Sequence, residues 1–361
     1  MKIALITDTH WGVRNDSKVF YDYFEKFYNN TFFPELEKRD IKTIIHLGDI
    51  VDRRKFINYV TLRKMKDIFI DRCVNDKIDL HVIVGNHDVP FKDTNEYNSM
   101  NELFDKEDIT YYSEPKTVQF DGTDILMMPW INKENYDHAL KRMDDTTAQI
   151  MFGHLEIAGM LMMVGQANPH GMDKKQFKKF DQVLSGHFHH KNSSDNITYL
   201  GCPYEMTWAD YNDPKGFHIY DTDTRELEFV ENPYRMFKKI YYTDNDKTMD
   251  EIMDFDFDSY KDVYIKVIKG SIDNPYWFDM FMDKLYKIDP VHIQIVDDHL
   301  NLDVEDSDDL INEAEDTMTI MSKYIDNLPD DIPKTNLNSL MRELYNEAVH
   351  MDIWQSTDFI V

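Results

Sequence analysis

Cysteine is nearly missing: Cys73 and Cys202 are the only two in 361 residues. So few, so far apart, exclude a disulfide framework and fit a reduced, intracellular setting. Long apolar runs are missing as well. Nothing approaches the ~20 consecutive apolar residues of a membrane-spanning helix. The opening "MKIALITDTH" turns polar at Asp8, too soon for the core of a signal peptide, and reads as a buried strand. Positive charge is scarce: 40 Lys and Arg stand against 68 Asp and Glu, a net −28. A chain of that charge is not expected to grip nucleic acid unaided. The deficit is uneven, since residues 1–235 hold 29 basic against 39 acidic side chains and the remainder 11 against 29. Glycine also runs out, with Gly270 alone of the twelve lying beyond Gly216, and this shift places a boundary near "ENPYR", Glu231 to Arg235.

What is present suits a globular protein. Apolar residues make up 42% and aromatic residues 13%, enough for one large domain and one or two small ones. In the first part short apolar runs end alike. "KIALIT" runs into Asp8, "KTIIHLG" into Asp49, "LHVIVG" into Asn86, "AQIMFG" into His154 and "QVLSG" into His187. Each has the length and branched-aliphatic content of a strand buried on both faces. Helix-like segments such as "NYVTLRKMKDIFIDRCVND" lie between several of them, so the pattern predicts an α/β layered domain. The polar residue closing each run sits at a strand's carboxyl end, where open α/β sheets place their ligand sites.

"GFHIYDTDTRELEFVEN" reads as a hairpin closing this domain. Beyond the boundary, "KDVYIKVIKG", "NPYWFDMFMDKLYKID" and "VHIQIVDD" read as strand, helix and strand, a second domain of roughly sixty residues. Two helices with apolar stripes come last, one through Met318, Met321, Tyr324, Ile325 and Leu328, the other through Leu337, Leu340, Met341, Leu344, Tyr345 and Ala348.

The strand-end set is Asp8, His10, Asp49, Asn86, His154, His187 and His189: carboxylates, imidazoles and an amide, with no thiolate. Such donors suit Mn²⁺ or Mg²⁺ better than structural zinc. They are too many for one ion and a sensible number for two, a pair that can activate water and polarise a phosphoryl group. In "VLSGHFHH", His187 and His189 are two apart on an extended segment and share a side, while His190 points away. His46, His81 and His218 lie inside strand-like runs and read as structural. His170, in "ANPHGM", is at most a marginal candidate for the substrate, and the Met-rich "GMLMMVG" reads as packing.

"DTH", "GDIVDR", "GNHD", "GH" and "SGHFH" occur in the order and context of the calcineurin-like metallophosphoesterases, and the chain resembles that family over some 180 residues. The resemblance implies a two-sheet layered core flanked by helices. It implies Asp8, His10, Asp49 and His189 on one metal and Asp49, Asn86, His154 and His187 on the other, Asp49 bridging. It further implies His87 as proton donor to the leaving group, Asp52 as the group that orients His87, and Arg53 as a phosphate contact. The layout as a whole, including "YLGCPYEMTWADYNDPKGFHIYDT", resembles the SbcD family, the nuclease subunit of the SbcCD complex, and within it the recombination endonuclease subunits of tailed phages. That resemblance implies a nuclease domain over 1–235, an α+β capping domain that positions DNA over 236–302, and C-terminal helices over 303–361 that dock on an ABC-type coiled-coil ATPase. It implies two Mn²⁺ (or Mg²⁺), DNA as substrate, a homodimer formed through helices near 58–73 and 95–104, no membrane association, and a cytoplasmic site in a bacterium or phage-infected host cell. The activity implied is 3′→5′ exonuclease on duplex ends and endonuclease on single strands or hairpins. The competing expectation is a phosphatase or phosphodiesterase acting on small molecules or phosphoproteins; a scaffold without chemistry is disfavoured because every ligand position is filled.

Overall fold

A computed structural model describes residues 1–297 except 92, 106 and 107, together with three isolated positions, Ile325, Lys334 and Leu337. Apart from Ile325 and Leu337, the stripe residues of the two expected C-terminal helices lie outside the described residues. The chain divides into a compact unit, Met1–Leu300, which holds every described strand, and a second unit, Asn301–Val361.

Four strands, β1 (Lys2–Ile6), β2 (Thr43–His46), β3 (Asp79–Ile83) and β4 (Thr110–Tyr112), run parallel in that order. The next three, β5 (Lys116–Phe120), β6 (Thr123–Met128) and β7 (Ile150–His154), begin a second sheet. A small hairpin, β8 (Leu161–Met163) with β9 (Gln166–Ala167), precedes β10 (Gln182–Gly186), β11 (Asn192–Ser194) and β12 (Ile197–Tyr199). The second sheet has the order β11-β12-β10-β7-β6-β5, with β12, β10, β7 and β6 parallel. The expected hairpin is β13 (Gly216–Asp221) and β14 (Leu227–Glu231), which joins the first sheet antiparallel beside β1.

Period-two alternation explains the layering. Ile3 and Leu5 of β1, Ile45 and Leu47 at β2, and Ile83 of β3 form one core with Ile125, Met127, Ile150, Phe152 and Leu184 of the other sheet. The intervening Ala4, Ile6, Ile44, Leu80 and Val82 face the opposite way, onto Phe20, Phe24, Phe27, Met65 and Phe69. Leu126, Met128, Met151 and Val183 do the same for the second sheet, against Ala139 and Met143 of helix Tyr136–Asp145. Two sheets therefore meet face to face with helices outside both, and strands with two apolar faces are what that arrangement requires.

Three further strands, β15 (Phe237–Tyr242), β16 (Tyr264–Lys269) and β17 (His292–Asp297), make a separate parallel sheet. The strand, helix and strand expected here are β16, helix Pro275–Lys287 and β17; β15 is the addition. Val263, Ile265, Val267, Ile240, Phe281 and Leu285 form this sheet's own core. At its root, the buried carboxylate of Glu205 accepts from the backbone N–H groups of Met236 (2.6 Å) and Phe237 (2.9 Å). Burial pushes that carboxyl up to about 7, against those N–H groups and Arg235.

Candidate dimetal active site

The carboxyl ends of β1, β2, β3, β7 and β10 converge on one edge of the paired sheets. The loops after β1 and β2 continue to pair beyond their strands: Asp8 N–H donates to the Gly48 carbonyl (3.0 Å), His10 N–H to that of Asp49 (3.2 Å) and Trp11 N–H to that of Ile50 (2.9 Å). The glycines before the ligands are needed for close approach. A Cβ on Gly48, whose φ is 102°, would lie 2.4 Å from His154 Nδ1, and one on Gly85 would lie 2.2 Å from Asp49 Oδ1. The expected ligands themselves take up strain. Asp8, His10, Asp49 and His187 have φ of 52°, 42°, 57° and 93°, a left-handed backbone that costs free energy and persists where surroundings impose it.

All seven expected ligands are brought together, in two adjoining groups. In one, His10 Nε2 lies 3.0 Å from His189 Nε2 and 3.9 Å from Asp8 Oδ1. In the other, Asn86 Oδ1 lies 2.9 Å from His154 Nε2 and 2.8 Å from His187 Nδ1, and Asp49 Oδ2 lies 3.2 Å from His154 Nε2. Asp49 reaches toward both groups, its Oδ2 also standing 3.9 Å from His10 Nε2. The proton positions favour a cation here. His154 Nδ1 donates to the Leu47 carbonyl (2.8 Å), which leaves the Nε2 lone pair aimed at two acceptor oxygens. Only a shared proton or a metal ion reconciles those three atoms, and the carboxylate–imidazole–amide donor set fits a divalent ion. The same conflict shows in the proton affinities. Burial opposes charge on His154, yet the adjacent Asp49 carboxylate outweighs it and lifts the imidazole to about 9. Burial also opposes charge on Asp49, and the imidazoles of His154 and His87 overcome it and hold the carboxyl well below its ordinary range. Burial keeps His187 neutral.

His87 stands beside these groups, its ring 4.9 Å from that of His10 and edge-on. Its Nδ1 donates to the main-chain carbonyl of Asp52 at 2.5 Å. Asp52 thus meets His87 through its backbone, while its carboxylate lies 3.6 Å from His10 Nδ1. Arg53, expected at the phosphate, donates to Asp16 (2.7 Å) and Asn15 (3.1 Å). His190 faces Asp213 (3.0 Å), and His170 is exposed.

Sequence reasoning passed over the supporting roles of Asp88, Lys215 and Trp130, and read His46 as structural. Asp88 is buried, and its carboxylate accepts from the N–H groups of Asp49 (2.8 Å), Gly85 (2.9 Å), Ile50 (3.0 Å) and Val51 (3.3 Å). It ties the second and third ligand loops together. The "GNHD" motif contains it, but its partners are backbone groups that leave no mark in sequence. His46 accepts from Gly48 N–H at Nδ1 (3.2 Å), so its Nε2 donates to Thr9 (2.9 Å); burial holds it neutral down to about 3. Lys215, buried between Asp210 (2.7 Å) and Asp213 (2.8 Å), donates to the His189 carbonyl at 2.8 Å. Trp130 lies with its ring 5.2 Å from that of His187.

Two adjoining acceptor clusters at the ends of parallel strands, with a histidine at their margin, define a metal-dependent phosphoesterase centre. The calcineurin-like phosphoesterase pattern matches residues 1–191, and the chain belongs to that family. More particularly, the chain is similar to exonuclease subunit 1 of Enterobacteria phage T4, with 31% identity over 96% of this chain and 99% of that protein. It is also similar to the D subunit of nuclease SbcCD from Staphylococcus epidermidis, at 23% identity over 65% of this chain and 73% of that one. Among solved structures, a novel archaeal phosphodiesterase aligns with a TM-score of 0.32 and 14% identity, over 64% of this chain and 100% of the other.

Proposed function

We propose that the chain is the nuclease subunit of a DNA-processing complex, hydrolysing phosphodiesters with two Mn²⁺ or Mg²⁺ ions. It is a phosphodiesterase-type nuclease related to the SbcD and phage exonuclease subunits. The observation that carries this reading is the pair of adjoining ligand clusters joined by Asp49, with His87 at their margin. Bound there, the ions supply Lewis acidity and lower the pKa of water. The chain's own residues do the rest. Asp8, His10 and His189 hold one position, Asn86, His154 and His187 the other, and Asp49 spans them. With Nδ1 committed to the Asp52 carbonyl, His87 presents Nε2 as the atom that passes a proton to the departing sugar oxygen. A phosphate contact from Arg53 requires the guanidinium to leave Asp16.

This reading divides the chain into a nuclease domain over 1–235, a capping domain over DNA at 236–302 and a C-terminal segment, 303–361, that docks on an ABC-type ATPase. The names of the relatives support a multi-subunit assembly, since both are subunits. Exposed Tyr59 and Val60 in helix Tyr59–Met65, with Phe56 just before it and Tyr97 just before helix Ser99–Leu103, support a homodimer surface there. Among the described residues no helix is long and apolar enough to cross a membrane. The reaction is exonucleolytic on duplex ends, 3′→5′, and endonucleolytic on single strands and hairpins, in the cytoplasm.

The test is cleavage of end-labelled duplex and hairpin DNA with Mn²⁺, wild type beside His87→Ala, with a mono- and a diester of p-nitrophenol as controls. His87→Ala should lose about 10²-fold or more in kcat while binding Mn²⁺ as wild type does. Turnover of the small esters with DNA left intact, even with the ATPase added, would favour a phosphatase instead.

A further inference from the structure

Trp130 follows β6, the neighbour of β7, and so lies beside His154; its ring centroid is 5.2 Å from that of His187 and 6.2 Å from that of His154. Its indole is partly exposed, yet its backbone is held at every polar atom. The N–H donates to the Val84 carbonyl (2.8 Å), and the carbonyl accepts from Asn95 Nδ2 (2.8 Å) and Asn135 Nδ2 (3.0 Å). Asn132 completes the set, giving its Nδ2 to Asn95 Oδ1 (2.9 Å) and its N–H to Asn135 Oδ1 (2.8 Å). All three asparagines are buried. Buried amides are costly unless satisfied, and here the satisfied network fixes the backbone that carries one partly exposed aromatic ring at the rim of the candidate metal site.

The ring opens onto a groove of about 410 Å³, within the range of small-ligand sites. Ile131, Tyr136 and Met172 continue its apolar wall. Among the described residues Lys133 is the one cation lining it, against the carboxylates of Asp137 and Glu156, so its chemistry suits a neutral planar ring rather than a phosphate. A strand whose phosphate lay on the metal pair would carry its base within reach of this wall. We infer that Trp130 is a stacking platform for a nucleobase flanking the scissile phosphate, and that the groove is a nucleotide subsite on the His154–His187 side of the centre. The inference rests on the nuclease reading.

The experiment uses the full chain with Mn²⁺ and single-stranded oligonucleotides that carry, on one side or the other of one phosphodiester, either a normal nucleotide or an abasic tetrahydrofuran residue. Wild type should cut the base-bearing strand about tenfold faster or more in kcat/KM, the scale of stacking one base on an aromatic ring. Trp130→Ala should bring that ratio to within about twofold, with the loss falling on the base-bearing strand, and Trp130→Phe should keep most of the preference. Equal cutting of both strands by wild type overturns the inference and leaves the nuclease reading standing. Parallel losses on both substrates in Trp130→Ala, or weakened Mn²⁺ binding, would make Trp130 a buttress for His187 and also overturn it. Cleavage of neither strand by wild type, even with the ATPase partner added, overturns both readings together.

Discussion

Asp88 touches no expected metal position, yet four backbone N–H groups from two loops converge on its carboxylate. Asp88→Ala should cost about 3 kcal/mol or more of stability, because it leaves those buried donors unpaired. Mn²⁺ affinity should fall with it; urea unfolding and calorimetry measure the two. A second residue-level expectation concerns His218, buried with an Nδ1 that has no hydrogen-bond partner among the described residues, and held neutral down to about 3 by burial. Its folded pKa is depressed below the unfolded value near 6.5, so below that pH the unfolded chain takes up a proton the folded one refuses. Stability is therefore lost as pH falls from about 6.5 toward 3, by roughly 2 kcal/mol per such imidazole at pH 5. Unfolding at pH 7.5 and 5 should show a smaller loss for His218→Leu than for wild type. At this scale the expected ligand positions were legible because they cluster at the polar ends of apolar strands, whereas Asp88 acts on backbone N–H groups and Lys215 on Asp210, Asp213 and the His189 carbonyl, partners that leave no pattern in sequence. Arg53 illustrates the opposite difficulty: the motif suggests a phosphate contact, and Asp16, distant in sequence, holds the guanidinium.

Among the elements, the five strands that carry ligands lie where their apolar runs place them, because two-faced burial demands runs without polar interruption. The shorter strands did not show. β4, β11 and β12 have three residues each and β5 is half-exposed, so their composition carries little period. Missing β6 as an element also hid Trp130, which follows the strand beside the one that ends at His154. The glycines that end the strands are the most exacting feature of these elements. Gly85→Ala should leave the fold intact by circular dichroism while cutting Mn²⁺ affinity and activity at least tenfold, since its Cβ would press on Asp49. Retained affinity would mean that the β3 loop can shift without disturbing the bridge.

For the molecule as a whole, the net −28 sits uneasily with a polyanionic substrate. Under the proposed function, an ATPase partner would supply much of the basic surface. The isolated chain should then bind duplex DNA weakly, losing tenfold or more in affinity between ~50 and ~200 mM salt. Tight binding at physiological salt without a partner, measured by fluorescence anisotropy, would contradict that division of labour. The α/β layering could be read from the alternation of strands and helix-like segments. The pairing of two sheets around one core came only with the family resemblance, because an apolar face does not announce its partner.

The central claim is that one edge of the paired sheets holds two divalent ions bridged by Asp49. Anomalous diffraction from crystals grown with Mn²⁺ tests it directly. The account predicts two peaks ~3.5–4 Å apart, one within bonding distance of Asp8, His10 and His189, the other of Asn86, His154 and His187, with Asp49 touching both. A single peak, or none at these side chains, would contradict it.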